Sequence, residues 1–182
     1  MFKVNDYVVY GSTGVCQITD VVKDEFNSNE SEYYVLHPVY NNHSMTIKIP
    51  VNNSLMRPVL TKDDVLSLIA AMPDKETSWI DDNKERFNAF KSALKSHQDE
   101  ELIKIIKTIY LQKQAQAAVN KKLTKTDEDL MNAAERQLYE EFAIALNISP
   151  GEVVPYINEY ILNLEKHNSE KNINISPSTS QI

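Results

Sequence analysis

The fold of the first third of this chain is indicated by residues 7–22, which read Tyr7-Val8-Val9-Tyr10-Gly11-Ser12-Thr13-Gly14-Val15-Cys16-Gln17-Ile18-Thr19-Asp20-Val21-Val22. β-branched and aromatic residues, which favour strands, form two runs that the glycines separate. In the second run the apolar positions are 16 and 18 and then, after a change of phase, 21 and 22. This pattern predicts two strands, the second of which contains a bend or a bulge.

The sequence up to residue 60 continues in the same manner. A polar turn cluster at 27–31 precedes a third strand at 33–40, and Asn41-Asn42 is expected to form a tight hairpin turn. Residues 45–49 then alternate between apolar and polar side chains before Pro50, and residues 55–59 form the last run of this kind. Five short strands in sixty residues predict a small, strongly bent sheet or an SH3-like barrel.

After residue 60 the apolar residues recur every three or four positions, which is the spacing of amphipathic helices. Five helices are predicted, and each has a recognisable start. The expected starts are Thr61, Ser78 as the N-cap before Trp79, Asp99, Thr124 together with Asp127, and the Ser149-Pro150-Gly151-Glu152 cap. The fold class is therefore α+β, with a β domain at 1–60, a helical bundle at 61–165 and a disordered tail at 166–182.

Composition limits the possible functions. The 182 residues carry a net charge of −7, and a single cysteine, Cys16, is expected to be a small buried hydrophobic residue in a cytoplasmic protein. No apolar stretch is long enough for a membrane span, so no membrane partner is expected. The acidity is concentrated in residues 123–165, which carry 2 basic and 9 acidic groups, whereas residues 61–122 carry 11 and 10. Net charge therefore argues only against tight binding to free DNA.

No arrangement of residues points to catalysis or to a cofactor. The four histidines are scattered without metal-ligand spacing, the three glycines form no phosphate loop, and one cysteine lacks a partner. The pairs Asp63-Asp64 and Asp81-Asp82 are expected at helix starts, and Glu140-Glu141 on a solvated helix face. A binding protein is therefore favoured over an enzyme.

The only tryptophan, Trp79, lies in a polar connection that precedes the second helix. Two interpretations stay open: the indole packs onto its own helix as a hydrophobic staple, or it is exposed for a partner. Downstream, Lys84, Lys91 and Lys95 share one helix face by their spacing, and composition alone favours an ordinary solvated surface mixed with Glu85.

The order of these features resembles the CarD/CdnL family of bacterial transcription regulators, whose N-terminal module also occurs in transcription–repair coupling factor. The resemblance is carried by Asp6-x-Val8-Val9-Tyr10-Gly11-x-x-Gly14-Val15-x-x-Ile18, by the strands at 33–36 and 45–50, and by Trp79. Lys122-Leu123-Thr124 and the later helix with Ala134, Leu138 and Glu141 extend it to about residue 147. It implies a Tudor-like domain at 1–60 followed by a helical DNA-contacting domain.

The resemblance also implies partners. Members of the CarD/CdnL family bind the β subunit of RNA polymerase, partly by strand addition. They also contact promoter DNA in the minor groove at the upstream edge of the melted bubble, and this contact stabilises the open complex. The positions implied to contact polymerase are Lys48, Ile47, Ile49 and Lys23. Those implied to contact DNA are Trp79 as an apolar wedge, Lys84, Arg86 and Lys91.

One departure from the family keeps an alternative open. Asp81-Asp82 stand where some relatives have arginines, and these carboxylates would repel DNA phosphates unless the helix directs them away. A protein–protein adaptor on RNA polymerase, without productive DNA contact, is therefore the second hypothesis. A monomer is expected, and strand exchange at an open sheet edge would give a dimer instead.

Overall fold

The computed structural model describes residues 1–23, 31–40 and 45–173. These residues form five β-strands followed by five α-helices, which confirms the α+β class. The strands are β1 (Tyr7–Tyr10), β2 (Gly14–Lys23), β3 (Glu32–Pro38), β4 (Ile47–Pro50) and β5 (Met56–Pro58). The helices are α1 (Lys62–Ala71), α2 (Asn83–Ser96), α3 (Asp99–Ala118), α4 (Lys125–Leu146) and α5 (Val153–Ile173).

The strands form one antiparallel sheet in the order β4-β3-β2-β1-β5. The predicted irregularity in β2 is confirmed, because its register with β3 shifts between Ile18 and Asp20. Such a shift bends the strand and increases its twist, so the sheet curls around its own core. The sheet is a half-barrel whose two edges are β4 and β5. Its core consists of Val8, Cys16, Ile18, Tyr34, Leu36 and Ile49.

The helices pack around a second core to which every helix contributes. Buried side chains recur along α3 and α4 at helical spacing, and Val65, Phe90 and Val153 join them from α1, α2 and α5. The predicted caps at Thr61 and Thr124 are confirmed, since each side chain accepts a hydrogen bond from the backbone N–H three residues later. The cap at Ser149 is also present and leads through a short 3₁₀ turn into α5.

Two helix boundaries differ from the sequence prediction. α2 was expected to begin at Trp79 with Ser78 as N-cap, whereas it begins at Asn83 and is capped by Asp82, whose carboxylate accepts from the Glu85 N–H at 2.7 Å. α5 continues to Ile173, so the part of the predicted tail that is described is helical. All but the last residue of the predicted turn cluster at 27–31, the predicted turn at Asn41-Asn42 and the tail beyond 173 lie outside the described residues.

Candidate interaction surfaces

One candidate surface is the free edge of the sheet at β4. This strand pairs with β3 through the register Val35↔Lys48 and Tyr34↔Ile49, and no other described strand pairs with it. An edge strand presents backbone N–H and C=O groups on which an additional strand can form. The Lys48 side chain is exposed, and its ammonium lies over the Tyr33 ring at 4.9 Å from the centroid. The edge therefore combines backbone pairing groups with an oriented positive charge.

The other residues expected to contact polymerase differ in accessibility. Ile49 is only 4% exposed and belongs to the sheet core, so its side chain does not face a partner and only its backbone can contribute. Ile47 is half-buried against the same core. Lys23 is exposed at the far end of β2, where its ammonium lies 3.7 Å from the Glu32 carboxylate. Of the four residues, Lys48 alone belongs to the β4 edge and offers an exposed side chain there.

The second candidate surface surrounds Trp79, in the connection between α1 and α2. The indole is half-buried and packs against the edge of the helical core. The Arg86 guanidinium carbon lies over the ring, 4.1 Å from its centroid. Trp79 is thus neither a core residue nor a fully exposed one: one face of the ring is covered by a cation, and part of the side chain stays open to solvent.

Arg86 was expected to contact DNA, and its surroundings argue against that role. Its side chain is 3% exposed and forms a two-pronged ion pair with Asp127, with Nε–Oδ1 at 2.9 Å and Nη2–Oδ2 at 2.8 Å. The remaining N–H groups donate to the carbonyls of Ile80 and Asp81 and to Asn83 Oδ1. A guanidinium has five N–H donors, and all of them are used inside the protein. Arg86 is therefore a structural partner of Trp79 and does not belong to the exposed basic surface.

Asp127 is the acidic member of this cluster, which we call the tryptophan clamp (Trp79, Arg86, Asp127 and Thr124). Burial by itself raises the pKa of Asp127, but hydrogen bonds from Arg86 and Thr124, together with the Arg86 charge, outweigh burial and lower the pKa below its ordinary value. The Thr124 hydroxyl donates to Asp127 Oδ2 at 2.6 Å. The carboxylate is therefore held ionised between two donors at the first turn of α4.

The lysines of α2 remain exposed, as the sequence indicated. Lys84, Lys91 and Lys95 are exposed, and the Lys91 ammonium lies 5.2 Å from the centroid of the Phe87 ring. Lys84 borders a cleft of about 440 Å³ between the first turns of α2 and α4. Of the two aspartates that precede this face, Asp82 caps its own helix, so its carboxylate is directed onto the α2 backbone. Of the Asp81-Asp82 pair, only Asp81 therefore has a carboxylate without a hydrogen-bond partner among the described residues.

A second cluster of charged side chains, which the sequence did not predict, joins the sheet to the helices. Arg57 of β5 binds Glu141 of α4 through two contacts, Nη1–Oε1 at 2.6 Å and Nη2–Oε2 at 2.8 Å. Glu141 Oε1 also accepts from the Leu60 N–H at 2.9 Å. Glu141 is 2% exposed and Glu140 is 7% exposed, so the prediction of a solvated Glu140-Glu141 pair is wrong. Glu141 lies three residues after the buried Leu138 and therefore on the apolar face of α4. This position was the one indication in the sequence that Glu141 is buried.

Asp99, at the start of α3, completes this sheet–bundle junction (Arg57, Glu141, Asp99). Its Oδ1 is buried and lies 3.6 Å from Arg57 Nη2, yet it accepts no hydrogen bond from any residue that the structure describes. Burial and the Glu141 charge raise the pKa of Asp99 to about 6, although Arg57 acts in the opposite direction. The junction also lines a cavity of about 20 Å³ with His97 and Gln137, which is too small for a ligand larger than water.

Other features bear on what the chain can bind. Cys16 is fully buried, and burial raises the pKa of its thiol to about 11, which confirms its interpretation as a hydrophobic residue. Among the described residues, no group of three or more His, Cys, Asp or Glu side chains could hold a metal ion. Within the same residues, no helix combines the length and apolar character that a membrane crossing requires. His43 lies outside the described residues.

Comparison with known proteins identifies the N-terminal sheet. Residues 2–60 match the model of the CarD-like/TRCF RID domain, where RID denotes the RNA-polymerase-interacting domain shared with transcription–repair coupling factor. The match ends between β5 and α1, so the helices lie outside it. No curated protein matches the chain. Residues 2–60, which contain the whole sheet, are therefore a CarD-like/TRCF RID domain, and this chain is a transcription-related protein that carries this RNA-polymerase-interacting domain.

Proposed function

We propose that the chain binds the β subunit of RNA polymerase through the β4 edge and places Trp79 against promoter DNA at the upstream edge of the melted bubble. The family match over residues 2–60 is the observation that carries the polymerase contact. The β4 edge supports strand addition, because its backbone groups have no partner strand among the described residues and Lys48 stands exposed beside them.

The DNA contact is supported by the helical part of the chain. Trp79 is partly open to solvent on a connection that is fixed to two helices, and three exposed lysines follow it on α2. An apolar wedge in the minor groove requires base unstacking, so it favours DNA that is already opened. Lys84 and Lys91 would lie near phosphates and position the wedge, whereas the acidity of residues 123–165 keeps affinity for free duplex low.

Coupling the two contacts explains how a chain of net charge −7 acts on DNA. Once the sheet is attached to polymerase, the tryptophan meets the promoter at a high effective concentration and needs little affinity of its own. The chain then stabilises the open complex without catalysing a reaction. Whether output rises or falls depends on the step that limits transcription at a given promoter.

The DNA contact is tested by Trp79→Ala in a reconstituted assay with the cognate polymerase. We expect the lifetime of the open complex to fall about tenfold, the loss of roughly one well-placed aromatic contact. The matched control is Tyr110→Ala, which removes an aromatic side chain that is 49% exposed on α3. Equal lifetimes for Trp79→Ala and the unmodified protein would refute the wedge.

The polymerase contact is tested by Lys48→Glu in co-purification with RNA polymerase. The charge reversal should remove most of the bound polymerase, because a rim charge that guides association is inverted at the pairing edge. Lys62→Glu, at the exposed start of α1, makes the same change away from the sheet and should leave binding intact. Polymerase retained equally by both variants would contradict the proposed edge.

A second function, an adaptor that binds polymerase without DNA contact, is favoured by the exposed Asp81 and by the acidic segment 123–165. Binding of the polymerase complex to forked promoter DNA, measured with and without the protein over a series of salt concentrations, distinguishes the two. Phosphate contacts steepen the salt dependence, so a slope that the protein leaves unchanged would support the adaptor.

A further inference from the structure

We propose that Arg86 is the positioning residue for Trp79, and that through Arg86 the first turn of α4 determines where the indole projects. This inference rests on the proposed role of Trp79 in DNA contact. It assigns to the buried Arg86–Asp127 pair a task besides stability, namely the orientation of the only tryptophan in the chain.

The first support is the position of the guanidinium over the indole. Its central carbon lies 4.1 Å from the ring centroid, a distance at which a cation is attracted to the face of the ring. Arginine is suited to this position because its planar group can stack on an aromatic face while its edge donates hydrogen bonds. The position of Arg86 therefore constrains the orientation of the indole ring.

The second support is that Arg86 also holds the backbone beside Trp79. Its Nη1 donates to the carbonyl of Ile80 at 2.7 Å and to that of Asp81 at 3.3 Å. These are the two residues that directly follow the tryptophan. One guanidinium thus constrains both the side chain of Trp79 and the chain segment that carries it, which is more than a stabilising ion pair requires.

The third support is the fixation of Arg86 itself to α4. Asp127 accepts from Nε at 2.9 Å and from Nη2 at 2.8 Å, and Thr124 donates to Asp127 at 2.6 Å. Thr124 is in turn the N-cap of α4 and accepts from the Asp127 N–H. Hydrogen bonds therefore connect the start of α4 to Arg86, and the stacking of the guanidinium on the ring continues the series to the indole.

Positioning has a consequence for binding. A wedge that is already oriented loses less side-chain freedom when it enters the groove, so the complex forms with a smaller entropic penalty. If Trp79 were released, the contact would weaken although the indole is still present. We expect this loss to shorten the open complex by about threefold to tenfold, which corresponds to one newly mobile side chain.

The test uses Arg86→Lys, which keeps the positive charge but removes the planar guanidinium and its paired N–H donors. Because Trp79 is the only tryptophan, its fluorescence reports the indole directly in the free protein. We expect stronger collisional quenching by acrylamide and a shorter open-complex lifetime with polymerase and promoter. Arg136→Lys makes the same chemical change at an exposed position of α4 and should alter neither quantity.

A second variant separates positioning from stability. Arg86→Met combined with Asp127→Leu replaces the buried pair by apolar side chains of similar size, a change that often preserves folding stability. We expect it to unfold at a temperature close to that of the unmodified protein and still to show stronger quenching and a shortened open complex. A double variant that is stable and also retains the normal lifetime would show that Arg86 only stabilises the fold, which overturns the inference.

Failure of the inference and failure of the proposed function give different results. If Arg86→Lys leaves quenching and lifetime unchanged while Trp79→Ala shortens the lifetime, the wedge stands and the positioning role is wrong. If Trp79→Ala has no effect on the lifetime, the DNA contact is wrong. In that case the quenching of the two Arg86 variants alone decides whether Arg86 holds the indole.

Discussion

The tryptophan clamp and the sheet–bundle junction are built from the same parts and differ in how completely those parts are satisfied. Each consists of an arginine that forms two hydrogen bonds to a carboxylate of α4, Arg86 with Asp127 and Arg57 with Glu141. In the clamp the arginine side chain is 3% exposed and every donor has an acceptor. In the junction the arginine is 35% exposed, and Asp99 Oδ1 is buried without a hydrogen bond.

This difference indicates where the molecule is fixed and where it can adjust. A fully paired ion cluster has one favourable arrangement, because any shift leaves a buried charge without a partner. A partly solvated arginine with two carboxylates can exchange one for the other or for water at lower cost. We therefore expect the indole to be held firmly against the helices, while the sheet retains some freedom to turn relative to the bundle.

The largest effect is expected for Arg86→Ala. This change leaves the buried Asp127 carboxylate without its main partner and should lower the free energy of unfolding by about 3–5 kcal/mol. Urea denaturation, with near-ultraviolet circular dichroism of Trp79 as a second probe, measures it. A loss below about 1 kcal/mol, the range of exposed ion pairs, would show that the clamp is no more constrained than a surface pair.

A smaller effect is expected for Arg57→Ala at the junction. Glu141 loses two hydrogen bonds but keeps the Leu60 N–H, and solvent already reaches the arginine, so we expect about 2 kcal/mol. The control is Lys125→Ala, whose pair with Asp129 is exposed at both ends, so its loss should leave the free energy of unfolding almost unchanged. If Arg57→Ala costs more than Arg86→Ala, the contrast between the two clusters is reversed.

The smallest effect is a difference in pH dependence. The pKa of Asp99 is raised to about 6, so the folded state holds this proton more tightly than the unfolded state does, and the associated stability is lost as the pH rises through 6. Acidification from pH 7 to pH 5 should therefore stabilise the junction by about 1 kcal/mol. Comparison of unfolding free energies at the two pH values, for the unmodified protein and Asp99→Asn, isolates this contribution.

The clamp should respond in the opposite direction and at lower pH. The lowered pKa of Asp127 gives stability that is present above the unfolded pKa, about 3.9 for an aspartate, and is lost as the pH falls through the folded value. Asp127 therefore contributes no slope between pH 5 and pH 7. An Asp99→Asn protein that keeps the full pH dependence over that interval would contradict the assignment to the junction.

Features governed by neighbouring residues were predicted from the sequence. The bulge in β2 followed from the phase of its apolar residues, and the helix starts at Thr61 and Thr124 followed from capping chemistry within three positions. The start of α2 was misplaced because Ser78 and Asp82 are both good N-caps, and local sequence does not rank them. Asp82 is the cap because the preceding carbonyls are bound by Arg86.

The two clusters could not be predicted, because their partners are distant in the sequence. Arg86 and Asp127 are 41 residues apart, and Arg57 and Glu141 are 84 apart. Arginine and glutamate are usually exposed, so composition and spacing assign them to the surface unless a partner is known. The position of Glu141 on the apolar face of α4 was the one local indication, and for Arg86 the proximity of the tryptophan was ambiguous.

Because both carboxylates belong to α4, this single helix fixes the spacing between the tryptophan clamp and the sheet–bundle junction. Asp127 and Glu141 are separated by fourteen residues, which is about 21 Å along the axis of a continuous helix. Insertion of one alanine between them would lengthen the helix by only about 1.5 Å but would rotate Asp127 about the helix axis by about 100° relative to Glu141. The length of α4 between Asp127 and Glu141 therefore sets both the distance and the direction of the tryptophan clamp with respect to the sheet.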